Sequence, residues 1–159
     1  MKIRTTLLSL LFISSPSFSG DSGFIDFALK QAHERGFTGC DTAIREIFKN
    51  AGGTDIRINT STHNDNPKQF TMTSTWGIKG DSIFKNVTLF KVGTQCTYDL
   101  TSIIQSSKSC MAYSKEMSSF DYVAETGDYI WMKNKGGVNM LLHPTGAGCT
   151  SVFTLDQKF

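Results

Sequence analysis

The sequence predicts an α+β fold: two N-terminal helices packed on a curved, mostly antiparallel β-sheet of about seven or eight strands, stapled by disulfides. Three observations lead there. Apolar residues recur at helical spacing only near the start, up to Ala51. After Gly53 the period changes to two, with Thr, Ser, Asn and β-branched residues between short Gly-, Asn- and Asp-rich breaks. The chain also carries four cysteines, at positions 40, 96, 110 and 149. Helices first and then a run of strands joined by short turns is the pattern of an α+β meander.

The first 19 residues read as a secretory signal peptide. Lys2 and Arg4 give a positive start, and Leu7 to Ile13 is apolar apart from Ser9. That run is too short to span a bilayer. Ser17-Phe18-Ser19 sets small residues at the cleavage positions, so the mature domain is expected to cover residues 20–159 as a single unit. The full chain has 16 Lys+Arg against 14 Asp+Glu. The leader takes two of the bases and no acid, which leaves the mature part electrically balanced. A nucleic-acid partner is therefore not expected. No other stretch is apolar for long enough to cross a membrane, so no membrane span is expected in the mature chain.

Phe24 to Arg35 reads as a helix, with Phe24, Phe27, Ala28 and Ala32 on one face, Asp21 or Ser22 as cap and Gly36 as stop. A second helix is expected from about Asp41 to Asn50. Cys40, Ile44, Ile47, Phe48 and Ala51 share its apolar face, and Gly52-Gly53 end it. Ile56 and Ile58 begin the alternation. The cluster from His63 to Pro67 is a turn, and Phe70, Met72 and Ser74 alternate with threonines up to Trp76. Gly77 and Gly80-Asp81 break the chain. Ile83 to Val92 is the longest clear strand and is apolar on both faces, as an interior strand would be.

Gln95 to Ile104 alternates next, followed by Gln105-Ser-Ser-Lys-Ser and a second run from Cys110. This reads as a strand, a loop and a returning strand, closed by a Cys96–Cys110 disulfide. Cys40 is then left to pair with Cys149. Phe120, Tyr122 and Ala124 start another strand, and Thr126-Gly127-Asp128 turns it. Tyr129 to Lys133 and Val138 to Leu142 flank Asn134-Lys135-Gly136-Gly137, a strong hairpin signal. Cys149 to Leu155 is the last strand.

The chemistry-bearing motifs are few. Cysteine spacings are too wide for zinc or a CxxC redox pair, and four cysteines in a chain with a leader point to structural disulfides in an oxidising compartment. Of the three histidines, His33 is on a helix without a second ligand one turn on, and His63 sits in a polar turn. His143 precedes Pro144 at a strand end beside a glycine-rich loop, where sites gather. Glu125 and Asp128 bracket a turn, and Asp26 and Glu34 belong on a helix surface. No strand-to-helix elbow offers a nucleophilic serine, and no glycine loop opens a helix to hold phosphate. The pattern calls for neither metal nor cofactor.

One segment has the make-up of a protein-recognition surface: Tyr129, Trp131 and Met132 beside Lys133 and Lys135, rigid apolar anchors with a charged rim. Tyr129 and Trp131 share one strand face, and periodicity alone also allows the competing reading, in which that face is core and the one with Ile130 and Met132 less so. The leading expectation is a periplasmic or secreted, non-enzymatic protein-binding module. An inhibitor or immunity protein against a toxin or hydrolase of the cell envelope would fit. A small secreted hydrolase using His143, or a subunit of an envelope or secretion assembly, are the alternatives.

Overall fold

The computed structural model describes residues 21–52, 55–62 and 66–159. Residues 1–20, with the expected leader, lie outside the described residues, as do Gly53, His63 and the side chains of Asp21 and Ser22. Three helices and eight strands follow one another: α1 (Asp21–Glu34), α2 (Asp41–Phe48), β1 (Arg57–Ser61), β2 (Gln69–Ile78), β3 (Asp81–Val92), β4 (Gln95–Ser106), α3 (Cys110–Glu116), β5 (Phe120–Thr126), β6 (Tyr129–Asn134), β7 (Asn139–Thr145) and β8 (Gly148–Lys158). All eight strands form one antiparallel sheet in the order β1-β2-β3-β4-β8-β7-β6-β5. It consists of two four-stranded meanders joined where β8 pairs with β4, and α3 carries the chain from β4 to the far edge.

The tight turns have their own chemistry. Gly77 sits at φ +114° where β2 meets β3, and a Cβ there would lie 2.5 Å from the Asp81 carbonyl oxygen. Only a residue without a side chain lets the strands approach so closely.

Alternation divides the sheet into two unlike faces. One face takes all the described helices. Over β1–β4, α1 and α2 bury Phe24, Ala28, Ile44 and Phe48 against Phe70, Met72, Val87, Leu89 and Tyr98. Phe24 meets Phe48 edge-on at 5.2 Å, and Phe37 stacks on Phe70 at 5.6 Å. Over β6–β8, α3 closes a second, smaller cluster of Cys110, Tyr113, Met132, Met140, Leu142 and Cys149. There Ser151 Oγ donates to Tyr113 Oη at 3.1 Å, so the buried phenol is satisfied.

Lys85 also points into the helix-covered face. Its Nζ donates to the Ile47 carbonyl at 2.7 Å and lies 5.6 and 5.5 Å from the ring centres of Phe48 and Trp76. Burial lowers its pKa to about 8. The amine thus ties the end of α2, whose last carbonyls lack helical partners, to the sheet.

The predicted architecture is present, with three corrections. The segment from Cys110 is a helix, not a returning strand. Ser109 caps it, accepting from Ala112 N at 3.3 Å, a start signal that the serine-rich reading of this stretch as loop passed over. The two expected disulfides are also re-paired: Cys40 joins Cys96 and Cys110 joins Cys149. The reason is the length of β4. Cys96 is at its start, and Ser106, which faces Cys149, is at its end. Ten residues at a rise of about 3.3 Å put these ends roughly 33 Å apart, far beyond what a disulfide spans. Cys110 follows the far end of β4, so neither it nor Cys149 can reach Cys96. Finally, β4 is paired by β3 and β8 rather than by the chain that follows it.

Both bridges do the same mechanical task. Cys40 immediately precedes α2 and Cys110 opens α3, and each is tied to the second residue of a strand beneath, Cys96 of β4 and Cys149 of β8. Free cysteines are absent.

Candidate recognition surface

The opposite face of the sheet has no described helix over it. On β2 it presents Thr71, Thr73 and Thr75. Thr71 and Thr88 share a hydroxyl contact of 3.2 Å, and Thr73 Oγ1 donates to Asn86 Oδ1 at 2.7 Å. Thr150 Oγ1 donates to Gln105 Oε1 at 2.9 Å, and Gln105 Nε2 donates to Thr145 Oγ1 at 3.0 Å. Such a face satisfies its own polar groups and leaves them wet.

At its β6–β7 end the face changes character. Tyr129 and Trp131 project side by side from β6, 45% and 43% exposed. Leu141 stands opposite Trp131 on β7, and the ring of His143 stacks on Tyr129 at 4.7 Å and 27°. Lys133 continues the row from β6, opposite Asn139 on one side and Asp121 on the other. The hairpin is held from both ends. Its turn is closed by Asn134, whose Oδ1 accepts from Val138 N at 2.8 Å, and Gly137 takes φ +85°. Beneath it Ile130, Met132, Met140 and Leu142 are anchored in the second cluster.

This arrangement gathers four of the five residues singled out from sequence and corrects the fifth. Tyr129, Trp131 and Lys133 share the open face, and Lys135 is exposed in the turn. Met132 is 8% exposed and belongs to the core. On β6, Ile130 and Met132 face in, Tyr129 and Trp131 out, which sets aside the alternative of a core face formed by Tyr129 and Trp131. The register decides it, because Met132 lies opposite Met140, which is fully buried, while Trp131 lies opposite Leu141 on the outer face. Leu141 and His143 were not linked to the aromatic pair by sequence, and only the β6–β7 pairing brings them together. Next to them, edge strand β5 leaves Tyr122 and Val123 62% and 58% exposed, at a register shift of the kind that blunts sheet edges.

The other polar candidates have local partners. His33 Nε2 is 2.9 Å from Asp41 Oδ1, fastening the end of α1 to the start of α2. Asp26 lies 3.7 Å from Arg45, and Glu34 lies 3.8 Å from Lys30. Glu125 and Asp128 are exposed at the β5–β6 turn. Among the described residues no three of His, Cys, Asp and Glu gather closely enough to hold a metal ion, and no helix is long and apolar enough to cross a membrane.

No protein family, curated protein or solved structure matches this chain. The reading of its role rests on its own geometry. Its two disulfides fit a protein that folds outside a reducing cytoplasm.

Proposed function

We propose that this chain is an exported, non-enzymatic protein-binding module, with its recognition surface on the open face around Trp131. One observation carries the reading: Tyr129 and Trp131 stand exposed, side by side, on a hairpin whose opposite face is fixed in the core. Large aromatic side chains are the usual energetic anchors of interfaces. Holding them on paired strands lowers the entropy lost on binding. Lys133 and Lys135 supply a charged rim beside them.

The exported, disulfide-stapled character and the leader expected in residues 1–19 favour the periplasm or the outside of the cell. Within that setting, an inhibitor or immunity protein against an envelope toxin or hydrolase is the reading we favour over a subunit of an envelope assembly. A hydrolase centred on His143 has less support, because that ring is engaged with Tyr129 on an open face rather than facing an acid in a cleft.

The test is capture from the native envelope by the exported chain, compared with Trp131→Ala and with Asn59→Ala, which changes a polar residue on the distant strand β1. Loss of the captured protein with Trp131→Ala alone, the melting temperature holding within a few degrees, is the expected result. Equal capture by all three would remove the hairpin from the interface. A folded His143→Ala chain that lost a measurable hydrolytic activity would move the assignment to an enzyme.

A further inference from the structure

On a solvated antiparallel face, outward positions are expected to be polar. Here five of the exceptions fall into line. The outward residues of β4 are Gln95, Thr97, Asp99, Thr101, Ile103 and Gln105, with Ile103 alone apolar. On β8 the one apolar side chain among the outward positions is Val152, and on β7 it is Leu141. The register sets these against one another: Phe84 opposite Ile103, Ile103 opposite Val152, Val152 opposite Leu141, Leu141 opposite Trp131. A single apolar row therefore crosses five adjacent strands, about 19 Å at a strand spacing of about 4.8 Å. Phe84, Ile103, Val152 and Leu141 are each half-buried by their neighbours alone. Phe90 and Val92 lie farther along β3, off this row.

Both flanking rows are polar and carry little charge. One runs Ser82, Gln105, Thr150, His143, and the other Asn86, Thr101, Thr154, Asn139, Lys133.

We propose that this row docks a second copy of the chain, face to face, so that two sheets close over it as a sandwich dimer. The proposal rests on the reading of the open face as a protein-binding surface, which a second copy and a foreign partner occupy in turn. Three features favour a second copy. In a two-fold interface each surface meets itself, so charges near the axis repel. Here β8 is the middle strand of the row and the neighbourhood of Val152 is uncharged. The row is also suited to meeting itself. Its bulkiest members, Phe84 and Trp131, stand at the ends, where two twisted sheets laid face to face diverge, and its smallest, Val152, at the centre. A two-fold axis along β8 sets Phe84 over Trp131 of the second copy, Ile103 over Leu141 and Val152 over itself. The area suits a weak dimer. Six strands from β2 to β6 and the three rows named give a flat area of roughly 590 Å² per copy, near the low end of specific interfaces.

The exported protein is measured by light scattering and sedimentation at about 10 µM, ten times a 1 µM Kd. Twice the monomer mass is expected. Val152→Lys and Leu141→Glu should each halve that mass. Each should still melt within a few degrees of the parent, since neither side chain is in the cores beneath the helices. Leu141→Glu carries the test should Val152→Lys fail to fold. A wild-type monomer at this concentration overturns the proposal, as does a dimer that survives both substitutions. If the monomer still loses a captured protein on Trp131→Ala, the protein-binding reading stands and only the second copy falls.

Discussion

Removing the disulfides one at a time tests both the pairing and the mechanics of the fold. The perturbation is a pair of double variants, Cys40→Ala/Cys96→Ala and Cys110→Ala/Cys149→Ala, which leave no unpaired thiol behind. The bridges span sequence separations of 56 and 39 residues. In the chain-entropy treatment, loops of that length restrict the unfolded chain by about 4.2 and 3.9 kcal/mol at 25 °C. Global stabilities run at about 5–15 kcal/mol, so either loss should lower the melting temperature by roughly 10–20 °C. The two variants should differ locally. Cys40–Cys96 belongs to a cluster of 18 buried residues, Cys110–Cys149 to one of six. The smaller cluster depends on α3, whose main contacts are with β7 and β8. Loss of Cys110–Cys149 should therefore release α3 from amide-exchange protection before the sheet opens, whereas loss of Cys40–Cys96 should leave α3 protected. Urea unfolding with hydrogen exchange reads both effects. Tryptic digestion without reductant checks the premise. Peptide 36–45 should be joined to 92–108, and 109–115 to 136–158. A bridge between 92–108 and 109–115, or a Cys40→Ala/Cys96→Ala chain within about 1 kcal/mol of the parent, would refute the reasoning.

Neighbouring residues on β6 should behave oppositely. Met132→Ala empties part of a closed core and should cost about 2–5 kcal/mol, whereas Trp131→Ala on the open face should cost under about 2 kcal/mol. Thermal melts of the two variants, each in the monomeric Val152→Lys background, compare them, and equal losses would mean that Trp131 is held in a core as Met132 is. Lys85 should give stability a pH dependence. Its folded pKa, about 8, lies below the 10.5 of an unhindered lysine, so between these values the unfolded chain binds the extra proton and stability rises with pH. The shift corresponds to roughly 3 kcal/mol at most, less whatever the rings of Phe48 and Trp76 return to the ammonium. Urea midpoints at pH 7.5 and 10 (about the two ends of this window) should move apart in the parent relative to Lys85→Met, and parallel profiles would contradict the assignment.

The first two helices and most strands were legible because their signals are local. Ile44, Ile47 and Phe48 mark one helical face, and Phe70, Met72 and Trp76 one strand face. What escaped was set by distant pairings. Period two separates Trp131 from Met132, but the inside is chosen by Met140 and Leu142 on another strand. The cysteine pairing lay closer to hand. Counting ten residues from Cys96 to Ser106 already rules out a return to Cys96 from Cys110. Alternation alone does not make a hairpin; the length of the strand decides what its ends can reach. The row from Phe84 to Trp131 could not be read from sequence at all. Its members are scattered single apolar residues until the order β3-β4-β8-β7-β6 aligns them.

The order of the cysteines along the chain has a consequence for assembly. Each bridge joins consecutive cysteines, the first to the second and the third to the fourth. For a chain that meets an oxidant N-terminus first, every cysteine's correct partner is the next to arrive. Cys40 and Cys96 can close while β1–β4 form a meander of their own, before Cys110 emerges. Cys110 then waits for β8, the strand that brings Cys149 and also zips the two meanders together. Simple first-come oxidation thus yields the native connectivity, and refolding of the whole reduced chain, where all four thiols compete at once, should be the slower route.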